Sequence, residues 1–168
     1  MCGLTGFLGG DKTNFKKNSQ QLKCMTDEIM HRGPDDEGFW IDEDYKVAIG
    51  HRRLSILDLS SAGHQPMHST SGQYIIAFNG EIYNHLELRV RLNDESNSVI
   101  EWNGHSDTET LLLCFEVWGV DVTLQAIKGM FVIALYDTKH NSLYLIRDRM
   151  GEKPLYYGWS GNTFLFGS

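Results

Sequence analysis

No apolar run in the 168 residues approaches the ~20 needed to span a bilayer. No leader peptide is legible either: Lys16, Lys17 and Lys23 follow a short Gly-rich segment, with no apolar core behind them. Cysteine is scarce. Cys2, Cys24 and Cys114 are an odd number at no zinc or disulfide spacing, which fits a reducing compartment and predicts a cytoplasmic location. Neither the phosphate-cradling Gly-x-x-x-x-Gly-Lys-Ser/Thr nor Gly-x-Gly-x-x-Gly occurs, so no nucleotide site is expected. The Gly-x-Ser-x-Gly of a strand-to-helix serine nucleophile is absent too. His31, His51, His64, His68 and His105 are scattered without the His-x-x-x-His spacing of a helical zinc site, and no metal is expected. Positive charge is also short. Fifteen Lys and Arg against 22 Asp and Glu leave a net charge of −7, which argues against nucleic acid or an anionic membrane as the main partner.

What is present is enough for one core. With 41% apolar and 22% charged residues, and no internal repeat or linker, residues 1–168 are expected to form a single α+β domain. Leu4–Leu8 predicts a first strand. Leu22, Met25 and Ile29 recur at helical spacing within Ser19–Met30, with Cys24 expected as a packed thiol beside that stripe. His31–Gly38 has the composition of a loop. Phe39–Ile41 and Val47–Gly50 predict strands, the second continuing through Arg52–Leu57. Ser60–Gly72 predicts a long loop.

Gln73–Phe78 predicts a buried strand ending at an Asn79-Gly80 turn, followed by a helix over His85–Leu92 and a short extended piece at Val99–Trp102. Ser106-Asp107-Thr108-Glu109 is a capping box, opening a helix that buries Leu111, Leu112, Phe115 and Trp118 and stops at Gly119. Met130–Tyr136, Ser142–Arg147, Leu155–Tyr157 and Thr163–Phe166 close the chain as strands. Hairpin-length connections favour antiparallel sheets with helices outside them over a doubly wound parallel sheet.

Cys2 is the centre of the chemical reading. Trimming Met1 gives one residue with a thiol nucleophile and a free α-amine, whose ordinary pKa of ~7.7–8.0 suits it as base for the thiol. Asn79-Gly80-Glu81 can direct a side-chain amide and a backbone N–H at one oxyanion, or be a plain turn before a helix-starting Glu. Asp107 can bind an ammonium, or complement a helix dipole. Arg52 and Arg53 offer a carboxylate clamp, or are solvated arginines at a strand end. Arg147, Asp148 and Arg149 can form a charge network bracing the site, or lie on the surface.

Seven segments in order, MCGLTGFLG, HRGPDDEGFW, GHRRLSILDLS with AGHQPM after it, FNGEIYNHLELR, HSDTETLL, MFVIALYD and RDRMGEKPLYYG, cover nearly the whole chain. Together they resemble the glutaminase domain of the glutamine-hydrolysing asparagine synthetases, a class II (Ntn-hydrolase) glutamine amidotransferase. The resemblance implies an αββα sandwich and hydrolysis of L-glutamine to glutamate and ammonia through a γ-glutamyl thioester. It implies Cys2 as nucleophile, Asn79 and Gly80 as oxyanion hole and Arg53 as clamp of the α-carboxylate. Leu54, Ser55, Ile56, Leu57 and Glu81 would line the substrate pocket, and Asp107 would hold the α-ammonium.

The Ser-Gly-Gly-x-Asp-Ser loop of the ATP-using half of those synthetases is absent. The chain is therefore expected to be the N-terminal part of a longer synthetase. Its C-terminal synthetase domain would be the partner that uses ATP and Mg and consumes the ammonia. The glutaminase half of another branch is the near alternative, but those relatives carry an Arg-Trp-Ala-Thr-His-Gly type stretch where this chain has Arg53-Leu54-Ser55-Ile56. A catalytically silent docking domain is the other, and the intact Cys2, Arg53, Asn79, Gly80 and Asp107 count against it. The sequence leaves the acceptor and the oligomeric state open, a homodimer included.

Overall fold

The computed structural model describes residues 2–9, 15–42, 44, 47–55, 61–96 and 99–168. In chain order these form β1 (Gly3–Leu8), α1 (Phe15–Glu28), β2 (Asp36–Ile41), β3 (Val47–Arg53), β4 (Met67–His68), β5 (Tyr74–Ile82) and α2 (His85–Glu95). They continue as α3 (Asp107–Ala126), β6 (Gly129–Asp137), β7 (Ser142–Arg147), β8 (Tyr156–Ser160) and β9 (Thr163–Gly167). One sheet has the order β2-β3-β1-β9-β8 and the other β4-β5-β6-β7, with every pairing antiparallel.

The side-chain alternation of β5 explains how the layers stack. Ile75 and Ala77 face one way and meet Leu4, Val47, Ile49 and Phe166 of the five-stranded sheet. Tyr74, Ile76 and Phe78 face the other way and pack on Leu88 and Leu92 of α2 and Leu111 and Phe115 of α3. A strand covered on both faces must be apolar at consecutive positions, which is why this segment is a continuous run. The outer face of the other sheet, with Phe7 and Ala48, buries Leu22 of α1. The result is helix, sheet, sheet, helix, as the antiparallel reading and the family resemblance both predict.

The differences from expectation are local. α1 begins at Phe15, and its buried positions are Asn18, Leu22 and Thr26, two of them polar and so invisible to an apolar stripe. Cys24 is exposed and not packed. The 31–38 segment holds a short helical turn and the first residues of β2, and β3 ends at Arg53. The 60–72 segment contains β4.

The capping box forms on one side only. Ser106 Oγ accepts the Glu109 N–H at 3.2 Å, but the Glu109 carboxylate accepts from Asn103 and Gly104 N–H instead. The helix behind it buries Leu111, Leu112 and Phe115, with Trp118 half-buried. It breaks at Gly119 (φ 75°), as expected, and a second helical run follows to Ala126.

Candidate active site

Strands β1 and β3 pair Gly3 with Arg52, so Cys2 and Arg53 lie one residue beyond that pair on adjacent strands. Adjacent residues of a strand point to opposite faces, and the two arginines separate accordingly. Arg52 turns towards α1, where Nε donates to Thr26 O at 3.2 Å and the guanidinium pairs with Asp27 (2.5 Å) and Glu37 (2.7 Å). Arg53 turns into a cavity of about 310 Å³ lined by Cys2, Leu54, Asn79, Gly80, Glu81 and Asp107. Of the two clamp candidates only Arg53 faces the site. Its guanidinium fits because residue 63 is glycine: a Cβ there would stand 2.0 Å from Arg53 Nη2.

The Cys2 sulfur lies between the two polar groups of one peptide neighbour. Leu54 N–H donates to Sγ at 3.3 Å, and the thiol faces Leu54 O at 3.6 Å. Ser55 is not among the lining residues, and its N–H donates to Asp35 Oδ2 at 2.8 Å. Ile56 and Leu57 lie outside the described residues.

Asn79 and Gly80 are not in a turn. β5 runs on to Ile82, pairing Asn79 with Val132 and Gly80 with Phe131. The ladder continues because a Cβ at Gly80 would meet Met130 O at 2.2 Å, a contact that glycine removes. Register then fixes where the Gly80 N–H points. Phe131 spends both backbone groups on residue 148, its N–H on the carboxylate at 3.2 Å and its C=O on the N–H at 2.9 Å. Gly80–Phe131 is therefore a non-hydrogen-bonded pair, and the N–H of Gly80 points away from β6, out of the ladder. The Asn79 side chain lies on the inter-sheet face, where Nδ2 donates to Ser168 Oγ at 3.5 Å.

Asp107, the first residue of α3, is buried, and its Oδ2 accepts the Ile82 N–H at 2.9 Å. Burial pushes its pKa up, and the Ile82 N–H and nearby His85 pull the other way. Glu81 is exposed at the rim.

Some lining residues carried no signal as site residues in the sequence: Gln65, Thr108, Met130 and Lys153. Lys153 reaches the cavity through a loop hub. The Asp148 carboxylate accepts N–H groups from Phe131, Met150, Glu152 and Lys153 at 2.9–3.2 Å. Arg147 donates to Lys153 O and Gly151 O, and Arg149 to Leu124 O and Ile127 O. Arg147, Asp148 and Arg149 thus bind backbone, which is neither the charge network nor the plain surface charges that the sequence left open. The sequence signal for Lys153 was only its place in the RDRMGEKPLYYG segment.

A model of the glutamine amidotransferase domain matches residues 1–168. The chain belongs to the glutamine amidotransferase domain family. A glutamine-hydrolysing asparagine synthetase of Bacillus subtilis is 38% identical over 170 residues, covering all of this chain and 26% of that protein. A Gibberella zeae protein named amidase chry2 is 35% identical over 98% of this chain and 25% of its own length. This amidotransferase domain therefore spans about a quarter of these relatives. Glutamine phosphoribosylpyrophosphate amidotransferase of B. subtilis superposes with a TM-score of 0.77 over 99% of this chain and 41% of that one, at 20% identity. That likeness assigns the two-sheet sandwich to the Ntn-hydrolase fold. Among the described residues no helix is long and apolar enough to cross a membrane.

Proposed function

We propose that this domain hydrolyses L-glutamine to glutamate and ammonia, with Cys2 as nucleophile. The observation that carries the reading is one cavity that gathers a thiol, a buried cation, a buried carboxylate and an N–H turned out of its ladder. Free glutamine carries an α-carboxylate and an α-ammonium, so a site for it needs one cation and one anion away from the nucleophile. Arg53 takes the carboxylate and Asp107 the ammonium, with Leu54 and Glu81 as walls. Holding both ends presents the side-chain amide to Cys2, an orientation that can contribute several kcal/mol.

Once Met1 is removed, the freed amine takes the thiol proton and sulfur bonds to the amide carbon. The oxygen gains negative charge and is met by the Asn79 amide and the Gly80 N–H, the donor pair of an oxyanion hole. The amine returns its proton to the leaving nitrogen, the C–N bond breaks, and ammonia departs from a γ-glutamyl thioester. Water, deprotonated by the same amine, adds to that carbon. The C–S bond breaks, glutamate leaves and the thiol is restored.

The chain is the glutaminase part of a longer, cytoplasmic synthetase, in this reading. Its support is the share of the relatives' length that the domain covers and the three free cysteines. A C-terminal synthetase domain using ATP and Mg would consume the ammonia, with aspartate or another carboxylate as acceptor.

The test is glutamate release from glutamine by protein shown by mass to lack Met1, beside Cys2→Ala. Release that disappears with the thiol supports the reading; no release from the trimmed wild type refutes it.

A further inference from the structure

β4 is two residues long and pairs with β5 only at Met67–Ile76 and His68–Ile75. Beyond Ile76 the same edge of β5 presents the backbone groups of Phe78, Gly80 and Ile82, alternate residues that all point away from β6. Side chains substitute for a partner strand at two of the three. Ile82 N–H is held by Asp107, as above. At Phe78 both groups are held: the N–H donates to Gln65 Oε1 at 2.7 Å, and the C=O accepts from His51 Nε2 at 3.1 Å. Both side chains are buried, His51 completely. Gly80, between the two braced positions, lines the cavity with Phe78.

From this edge we infer that Gln65 and His51 are positioning residues for the proposed glutaminase reaction, clamping the peptide groups on either side of Phe78 so that the Gly80 N–H is held open towards the cavity. The inference rests on the proposed function for the reaction it serves. The chemistry of the pair is complementary. A carbonyl can only accept, so the His51 ring carries its proton on Nε2, and burial keeps the ring neutral by lowering its pKa to about 4. The amide of Gln65 supplies the acceptor, and its Nε2 donates to Thr108 Oγ1 at 3.4 Å, one residue beyond Asp107. Gln65 thereby ties the Phe78 peptide to the start of α3, fixing the two ends of the site relative to each other. The Gly80 peptide lies between the braces at Phe78 and Ile82, so the groups that hold those two positions help to set its tilt. Oxyanion donors act through their angle and distance, so a small displacement is felt in turnover.

The test uses Gln65→Met, which keeps the volume and removes the acceptor, and Gln65→Glu, which keeps an acceptor for Phe78. Two readouts are taken from each: kcat and KM for glutamate release, and hydrogen exchange of the Phe78 amide. Gln65→Met is expected to lower kcat by about 10- to 100-fold with KM within about threefold, and to speed Phe78 exchange at least about tenfold. Gln65→Glu is expected to recover most of both losses. A loss confined to KM would make Gln65 a substrate contact and overturn the inference, as would unchanged kcat with faster exchange. If the wild type releases no glutamate, the glutaminase reading falls by itself. The clamp is then decided by exchange alone: it is overturned if Phe78 exchanges equally in both proteins, and supported if protection is lost with the acceptor.

Discussion

Asp107→Asn should weaken substrate binding and stabilise the empty domain at the same time. The amide keeps a carbonyl oxygen for the Ile82 N–H at 2.9 Å, so the edge of β5 stays braced while the charge is removed. Neutralising one partner of a desolvated charge pair costs about 2–5 kcal/mol. An amide still accepts one hydrogen bond from an ammonium, so the lower end applies. About 2–3 kcal/mol corresponds to roughly 30- to 150-fold in KM for glutamine.

The stability effect has the opposite sign. Burial raises the folded-state pKa of Asp107 above its value in the unfolded chain. Its contribution is therefore fully present below the ordinary carboxylate value and is lost as pH rises through the raised one. At neutral pH the wild type bears that loss and the neutral variant does not. The melting temperature of Asp107→Asn without glutamine should exceed that of the wild type at about pH 7, and the gap should close towards about pH 4. Saturating glutamine should raise the wild type selectively. Initial rates and thermal melts at the two pH values, with and without glutamine, supply the four comparisons. A KM within about threefold of wild type would remove Asp107 from the ammonium. A variant less stable than wild type at neutral pH would refute burial as the dominant influence on that carboxylate.

Three further outcomes follow from the same geometry. Arg53→Ala should raise KM for glutamine about 30-fold or more, with a smaller change in kcat, because the proposed carboxylate clamp would contact the substrate in ground and transition state alike; unchanged kinetics would exclude it from the site. Asn79→Ala should lower kcat by about 10²–10³ with little change in KM; equal losses in binding and turnover would argue against an oxyanion role. Asp148→Ala leaves four backbone N–H groups without their acceptor and should destabilise the domain by about 2–4 kcal/mol in a denaturant titration; a loss below about 0.5 kcal/mol would mean water replaces the carboxylate freely.

The layer order was legible because it is written in one strand: five consecutive apolar residues at 74–78 require cover on both faces. The Arg52 and Arg53 ambiguity was resolvable in principle by the period of two, since one of any adjacent pair in β3 must face α1. Asn79-Gly80 misled because Asn-Gly is a strong hairpin signal. There the glycine serves a close approach to Met130, which depends on β6 and cannot be seen in β5 alone. Thr26 escaped the helical stripe for a similar reason. Its hydroxyl bonds Leu22 O at 2.8 Å, which lets a polar residue occupy a fully buried position. Gln65 and Lys153 were out of reach. One depends on where β4 stops pairing and the other on the loop around Asp148, and both are tertiary facts.

An unpaired sheet edge is ordinarily a liability, because its N–H and C=O groups invite another strand. Here the brevity of β4 leaves three alternating positions of β5 open, and each is answered differently: a side-chain clamp at Phe78, the cavity at Gly80, a carboxylate at Ile82. Alternate residues of a strand are about 6–7 Å apart, so the Gly80 N–H and the Ile82 N–H that Asp107 accepts are set at a separation written into the strand itself. A β4 extended by four residues, back to Gly63, would pair with this edge and consume the Gly80 N–H. The site therefore depends on a strand that stops early and on side chains that hold its neighbour's edge in its place. Substitutions that strengthen β4 pairing should be harmful for the same reason that loss of Gln65 is.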